Sequence, residues 1–82
     1  MKVNAMVHLV GRLRHIQRRA GHGITLLLQE PGQKILLPCL FSDVQLADRA
    51  RELPVQSVLH VAGNFSFAHG RRELVADDFS IR

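Results

Sequence analysis

The chain has 82 residues, of which 46% are hydrophobic and 22% charged, with a formal net charge of +4. That length suits a single domain over residues 1–82, expected to be complete, and the apolar content excludes a disordered chain. No apolar run approaches the roughly 18 residues that would cross a bilayer, and the opening residues lack the apolar stretch of a secretion signal. The expectation is therefore a cytoplasmic protein without a membrane partner.

Cys39 is the one cysteine, so it can neither close an internal disulfide nor cage zinc by itself. It reads as a small buried hydrophobe. The positive charge is unevenly spread: residues 1–41 carry six Lys/Arg against Glu30, a net +5, whereas residues 42–82 carry five against six acids. A polyanionic partner for the first half follows from that distribution more than from the total.

From Val3 the pattern alternates, with Val7, Leu9, Gly11 and Leu13 on one face and His8, Arg12 and Arg14 on the other, which predicts a long first strand. Gly11 in its middle predicts a bend or bulge there. A polar, glycine-bearing loop follows over Gln17–Gly23. The run ITLLLQ, 24–29, predicts a second strand, and Pro31-Gly32 suits the two central positions of a type II turn. KILLPCLF, 34–41, is the return strand, with Pro38 confined to an edge or bulge because it donates nothing to a ladder.

Ser42 and Gln45 have capping-box spacing, so a helix should start at Ser42, carry Leu46, Ala50 and Leu53 on its buried stripe and stop at Pro54. SVLHVAGNFSF, 57–67, alternates again and predicts a fourth strand; Ala68-His69-Gly70-Arg71 is a turn. RELVADDFSIR, 72–82, is the last strand, bulged at Asp77-Asp78. The predicted order is β-β-β-α-β-β.

That order, with VHLVGRL at 7–13, ILLPCLF at 35–41, VLHVAGNFSF at 58–67 and ELVADDFSI at 73–81, resembles the OB-fold, a five-stranded Greek-key barrel. Almost the whole chain takes part in the resemblance. The stand-alone size is similar to single-stranded DNA-binding and primosomal OB domains, and the pattern to those of anticodon-binding type. The resemblance implies an all-β barrel with one helix and a ligand lying across strands two and three. It also implies flanking loops after strands one and four, carried here onto His15–Gly23 and Ala68–Arg72.

Arg12, Arg14, Arg18 and Arg19 lie in or lead into the first loop, Arg71 and Arg72 sit in the second, and Lys34 opens strand three, so seven of the eleven basic residues fall at the implied site. Guanidinium groups pair with phosphate bidentately and stack on bases. Arginines on a single loop also serve simply to solvate it; two loops favour single-stranded nucleic acid, DNA before RNA, bound weakly and without sequence preference.

The shortage of aromatics argues against stacking as the main contribution. There is no Trp or Tyr, and of four phenylalanines Phe41, Phe65 and Phe79 read as core, with Phe79 among Val75 and Ile81, leaving Phe67 as the candidate stacking ring.

No catalytic motif is present, no cofactor is called for, and the spacing of His8, His15 and His22 does not bring ligands to one strand face, so no metal is expected. The histidines read as surface groups whose protonation near pH 6 would tighten binding of a polyanion. The alternative function is an OB-fold adaptor, a subunit of a DNA replication or repair complex that holds a protein partner. A homodimer through Val10, Leu27 and Val58, read as exposed, is also expected, since a single-strand binder of this size gains affinity by linking two sites.

Overall fold

Alternating apolar residues in five short runs leave each strand one face to bury, and a sheet rolled on itself buries them all at once. In the computed structural model, which describes residues 6–19, 21, 23–68 and 70–82, this is the outcome. The expected first residues of strand one, Val3 to Ala5, and the histidines His22 and His69 lie outside the described residues. The elements are β1 (Val7–Arg18), β2 (Ile24–Gln29), β3 (Leu37–Phe41), α1 (Val44–Arg51), β4 (Val58–Ala68) and β5 (Arg71–Ile81). The strands close in the order β1-β2-β3-β5-β4, with β4 returning to β1. All pairings are antiparallel except β3 with β5, which is parallel and closes the barrel through Cys39 and Leu40 opposite Leu74 and Val75.

The core is the inward row of every strand, chiefly Leu13, Ile24, Leu26, Leu28, Cys39, Phe41, Leu59, Val61 and Leu74. Phe41 and Phe79 meet edge to face with centroids 5.5 Å apart. Ala47, Ala50 and Leu53 of the helical segment complete the cluster, and short alanine side chains let α1 lie close against β3.

Two irregularities set where the polar residues point. The β1–β2 register slips between Leu13 and His15, so Arg14 is an extra residue, and the inward row resumes at Ile16 opposite Leu26. The bulge therefore sits three residues beyond Gly11, where it was expected. Gly11 is required for close approach instead, since a Cβ there would meet Leu28 Cβ at 3.1 Å and the Gln29 carbonyl oxygen at 3.2 Å. The second slip leaves Asp77 unpaired between the Ala62–Asp78 and Gly63–Ala76 pairs, at the expected place. It reverses the parity of β5, so Phe79 points inward while Val75 faces out, and these two do not share a face as expected.

The turn at 30–33 forms as expected, with Gly32 at φ +76° and the Gln33 N–H donating to the Glu30 carbonyl. Residues 34–36 precede β3, which is shorter than the expected strand from Lys34. Pro38 lies one residue outside the parallel pairing with β5, where its missing N–H is tolerated. The helix is capped by Asp43 rather than Ser42, the Asp43 carboxylate accepting from the Leu46 N–H at 3.0 Å.

Candidate nucleic-acid interface

Outward residues of the strands make the candidate surface. Thr25, Leu27 and Gln29 stand on β2, facing Gln17, His15 and Arg12 on β1 across the ladder, while Pro38 on β3 is opposite Leu27. On β5 the outward residues next to the closing pairing are Arg71, Glu73 and Val75.

The strand β1 continues to Arg18, so the expected loop from His15 shrinks to the residues after it, closed by the Arg19 N–H donating to the Gly23 carbonyl at 3.2 Å. The expected second loop likewise shrinks, because Ala68 pairs with Arg71 and both Arg71 and Arg72 belong to β5. In each case strand pairing outlasts the polar sequence. An exposed strand face accepts charged side chains as readily as a loop does.

Arg18 and Arg19 from the end of β1 and Arg71 from the start of β5 border one concavity of about 400 Å³, floored by Thr25, Leu27 and Pro38 and flanked by Gln17 and Glu73. Among the described residues, none of these three arginines has a hydrogen-bonding or ion-pair partner for its guanidinium. A larger concavity of about 550 Å³ adjoins it, sharing Leu27, Pro38 and Arg71, and continues over Ile35, Leu36 and Leu37. Together they form a trough across β2 and β3 with arginines on its two banks.

The remaining expected residues are placed differently. Arg72 pairs with Glu30 at 3.4 Å and lies over the Phe65 ring, Cζ 4.7 Å from the centroid, which keeps it at the edge of the larger concavity with its charge partly balanced. Arg12 donates to the Gln56 carbonyl at 2.8 Å, and Arg14 donates to the side chains of Gln29 and Gln56 at 2.8 and 2.6 Å. Both are held against neutral partners in a separate concavity of about 340 Å³ with Val10, Gly11 and Val58. Lys34 is exposed in the bend before β3 and borders neither bank of the trough. Phe67 is 76% exposed, cross-strand from Arg72. Val10, Leu27 and Val58, expected to be exposed, are half-buried, Leu27 lining the trough and Val10 and Val58 lining the separate concavity.

Glu73 is the site residue that sequence reading passed over, although its spacing of two from Arg71 puts both on one strand face. Cys39 lies inside the barrel, where burial foremost and the Glu30 charge second push its thiol up to about 12, so it has no place in the site's chemistry. His8 and His60 stack on the β1–β4 face, with Nδ1 and Nε2 3.2 Å apart. Among the described residues no group of three or more His, Cys, Asp or Glu is placed to hold a metal ion, and no helix is long and apolar enough to cross a membrane.

The closed β1-β2-β3-β5-β4 barrel, with its helix between β3 and β4, is an OB-fold. No family profile and no curated protein matches the sequence. Solved structures match the fold. A chain of the Stn1–Ten1 complex of S. pombe superposes with a TM-score of 0.84 at 20% identity over 94% of this chain and 57% of that one. Asparaginyl-tRNA synthetase of Entamoeba histolytica gives 0.76 at 16% identity over all of this chain and 21% of the enzyme. OBody AM1L10, bound to hen egg-white lysozyme, gives 0.78 at 13% identity over 96% of this chain and 80% of that one. The chain thus spans little more than half the length of the first of these and a fifth of the second.

Proposed function

We propose that the protein is a non-catalytic module that binds single-stranded nucleic acid in the trough across β2 and β3. The observation that carries this reading is the meeting of Arg18 and Arg19 with Arg71 around one concavity, although more than fifty residues separate them in the chain. Unpaired guanidiniums on two banks suit the phosphates of a strand lying between them, and their energy of attraction is entropic in origin, through release of condensed counterions. The apolar floor of Leu27 and Pro38 accepts base or sugar surface without reading sequence. Two of the similar folds belong to complexes or enzymes that work with partners or tRNA by name, which agrees with this reading. The cellular setting consistent with it is the cytoplasm, in replication or repair.

Titration of a labelled single-stranded oligonucleotide at low and moderate salt tests the proposal. Binding that tightens at low salt, and that weakens with a shallower salt slope in the Arg18→Ala/Arg19→Ala protein, is expected. Absence of binding at low salt removes the proposal.

A second reading, an adaptor for a protein or for a second copy, is favoured by one observation. The larger concavity is lined by apolar residues including Ile35, itself 85% exposed. If the double-alanine protein keeps its salt slope while light scattering shows a dimer, the adaptor reading replaces the first.

A further inference from the structure

Arg18 and Arg19 border a second concavity besides the trough. This one, of about 310 Å³, lies toward the helix, with Gly21 and Gly23 on its rim and Arg51, from the last turn of α1, as its third arginine. The backbone at its edge is open: Gly21 has φ +80°, and nothing lies within 4 Å of where its Cβ would be. Arg51 is oriented by a bond from its guanidinium to the Asp48 carboxylate at 2.7 Å. Three arginines thus line one cleft: Arg51 is ion-paired with Asp48, whereas among the described residues the Arg18 and Arg19 guanidiniums have no hydrogen-bonding or ion-pair partner. An anion entering the cleft is attracted by the charges of Arg18 and Arg19 and meets Arg51 on its far side. Guanidinium forks bind phosphate oxygens bidentately, and the open glycine backbone leaves room for a tetrahedral anion beside them.

We infer that the cleft formed by Arg18, Arg19 and Arg51 around Gly21 and Gly23 is a phosphate-binding site. A single strand lying in the trough crosses the Arg18–Arg19 ridge there and sets a backbone phosphate against Arg51. The inference rests on the nucleic-acid reading for the source of the phosphate, and free inorganic phosphate shares the same chemistry. It extends the binding surface from the sheet to the helix, a residue and an element that the sequence did not assign to it.

The test compares wild-type protein with Arg51→Gln, Arg51→Lys and Arg18→Ala/Arg19→Ala, using a labelled oligonucleotide over a series of salt concentrations. A second arm adds inorganic phosphate and follows the Gly21 and Gly23 amide resonances. Thermal unfolding checks that each variant retains the fold. The expected result is that Arg51→Gln weakens binding about three- to tenfold and lowers the salt slope by about 0.7, the value for one fewer phosphate neutralised on a single strand.

Arg51→Lys should lie between Arg51→Gln and wild type. Phosphate should shift both glycine amides in the wild type but not in Arg51→Gln. If Arg51→Gln binds like wild type while the double-alanine protein binds weakly, the strand stops in the trough and the inference is overturned with the function intact. If neither variant changes binding, the nucleic-acid reading itself fails. In that case, phosphate-induced shifts that depend on Arg51 would support the site as one for free phosphate, and their absence would overturn it.

Discussion

Gln56 holds a left-handed backbone at φ +82°, a conformation that costs a non-glycine residue about 1 to 3 kcal/mol. Its N–H donates to the Leu13 carbonyl, its own carbonyl accepts from Arg12, and its side-chain oxygen accepts from Arg14. The two arginines therefore fasten the connection between α1 and β4 onto β1. Arg14→Ala should lower stability by about 1 kcal/mol in denaturant unfolding while leaving the salt slope of oligonucleotide binding near wild type, the reverse of Arg18→Ala/Arg19→Ala.

At Gly63 a Cβ would run into the Val75 carbonyl oxygen, and backbone cannot swing aside as a side chain can. Gly63→Ala should cost roughly 3 kcal/mol or prevent folding, as measured by the same unfolding curve.

Cys39 supplies a prediction about pH. Its thiol pKa is raised from 9.0 to about 12 in the fold, so between those values the unfolded chain ionises while the native one stays protonated. The native state then binds more protons, and stability falls as pH rises through that window, by up to about 1.4 kcal/mol per pH unit, with no contribution below it. Cys39→Ala should lose this part of the alkaline decline. At pH 8 the native thiol should resist a thiol reagent until denaturant unfolds the barrel.

At the scale of elements, the strands and helix were readable because apolar residues repeat every two positions in SVLHVAGNFSF and every three to four between Leu46 and Leu53, while ITLLLQ is an apolar run too short for a helix. The turn at Pro31-Gly32 was readable because proline presets φ at the first central position and glycine accepts the positive φ needed at the second. The end of β1 was not. A bulge at Arg14 resets the alternation, so Ile16 returns to the core just where the sequence turns basic and takes on the look of a loop.

The helix cap moved by one residue because Ser42 and Asp43 are both good caps, and it is the Asp43 carboxylate that meets the Leu46 N–H. Asp43→Ala should therefore destabilise the protein by about 1 kcal/mol, whereas Ser42→Ala should leave the unfolding midpoint close to wild type.

On the whole-molecule scale, what the sequence held was the uneven spread of arginine; what it lacked was distance. Arg18, Arg19 and Arg71 meet because β2, β3 and β5 lie side by side, with β3 and β5 parallel, a pairing that no local pattern announces. Arg12 and Arg14 share the first basic stretch with Arg18 yet turn to Gln56, and Arg51, from the less basic half, joins the cationic end. Residue type was legible, and partnership was decided by closure of the barrel.

The central claim is that Arg18 with Arg19 and Arg71 are opposite banks holding one strand. The measurement that tests it most directly is the salt dependence of single-stranded oligonucleotide affinity in wild type, Arg18→Ala/Arg19→Ala, Arg71→Ala and the combined variant. Each change should make the slope shallower by about 0.7 for every phosphate no longer neutralised, and the combined variant should show the sum of the two decreases. A slope that stays at its wild-type value in all of them would contradict it.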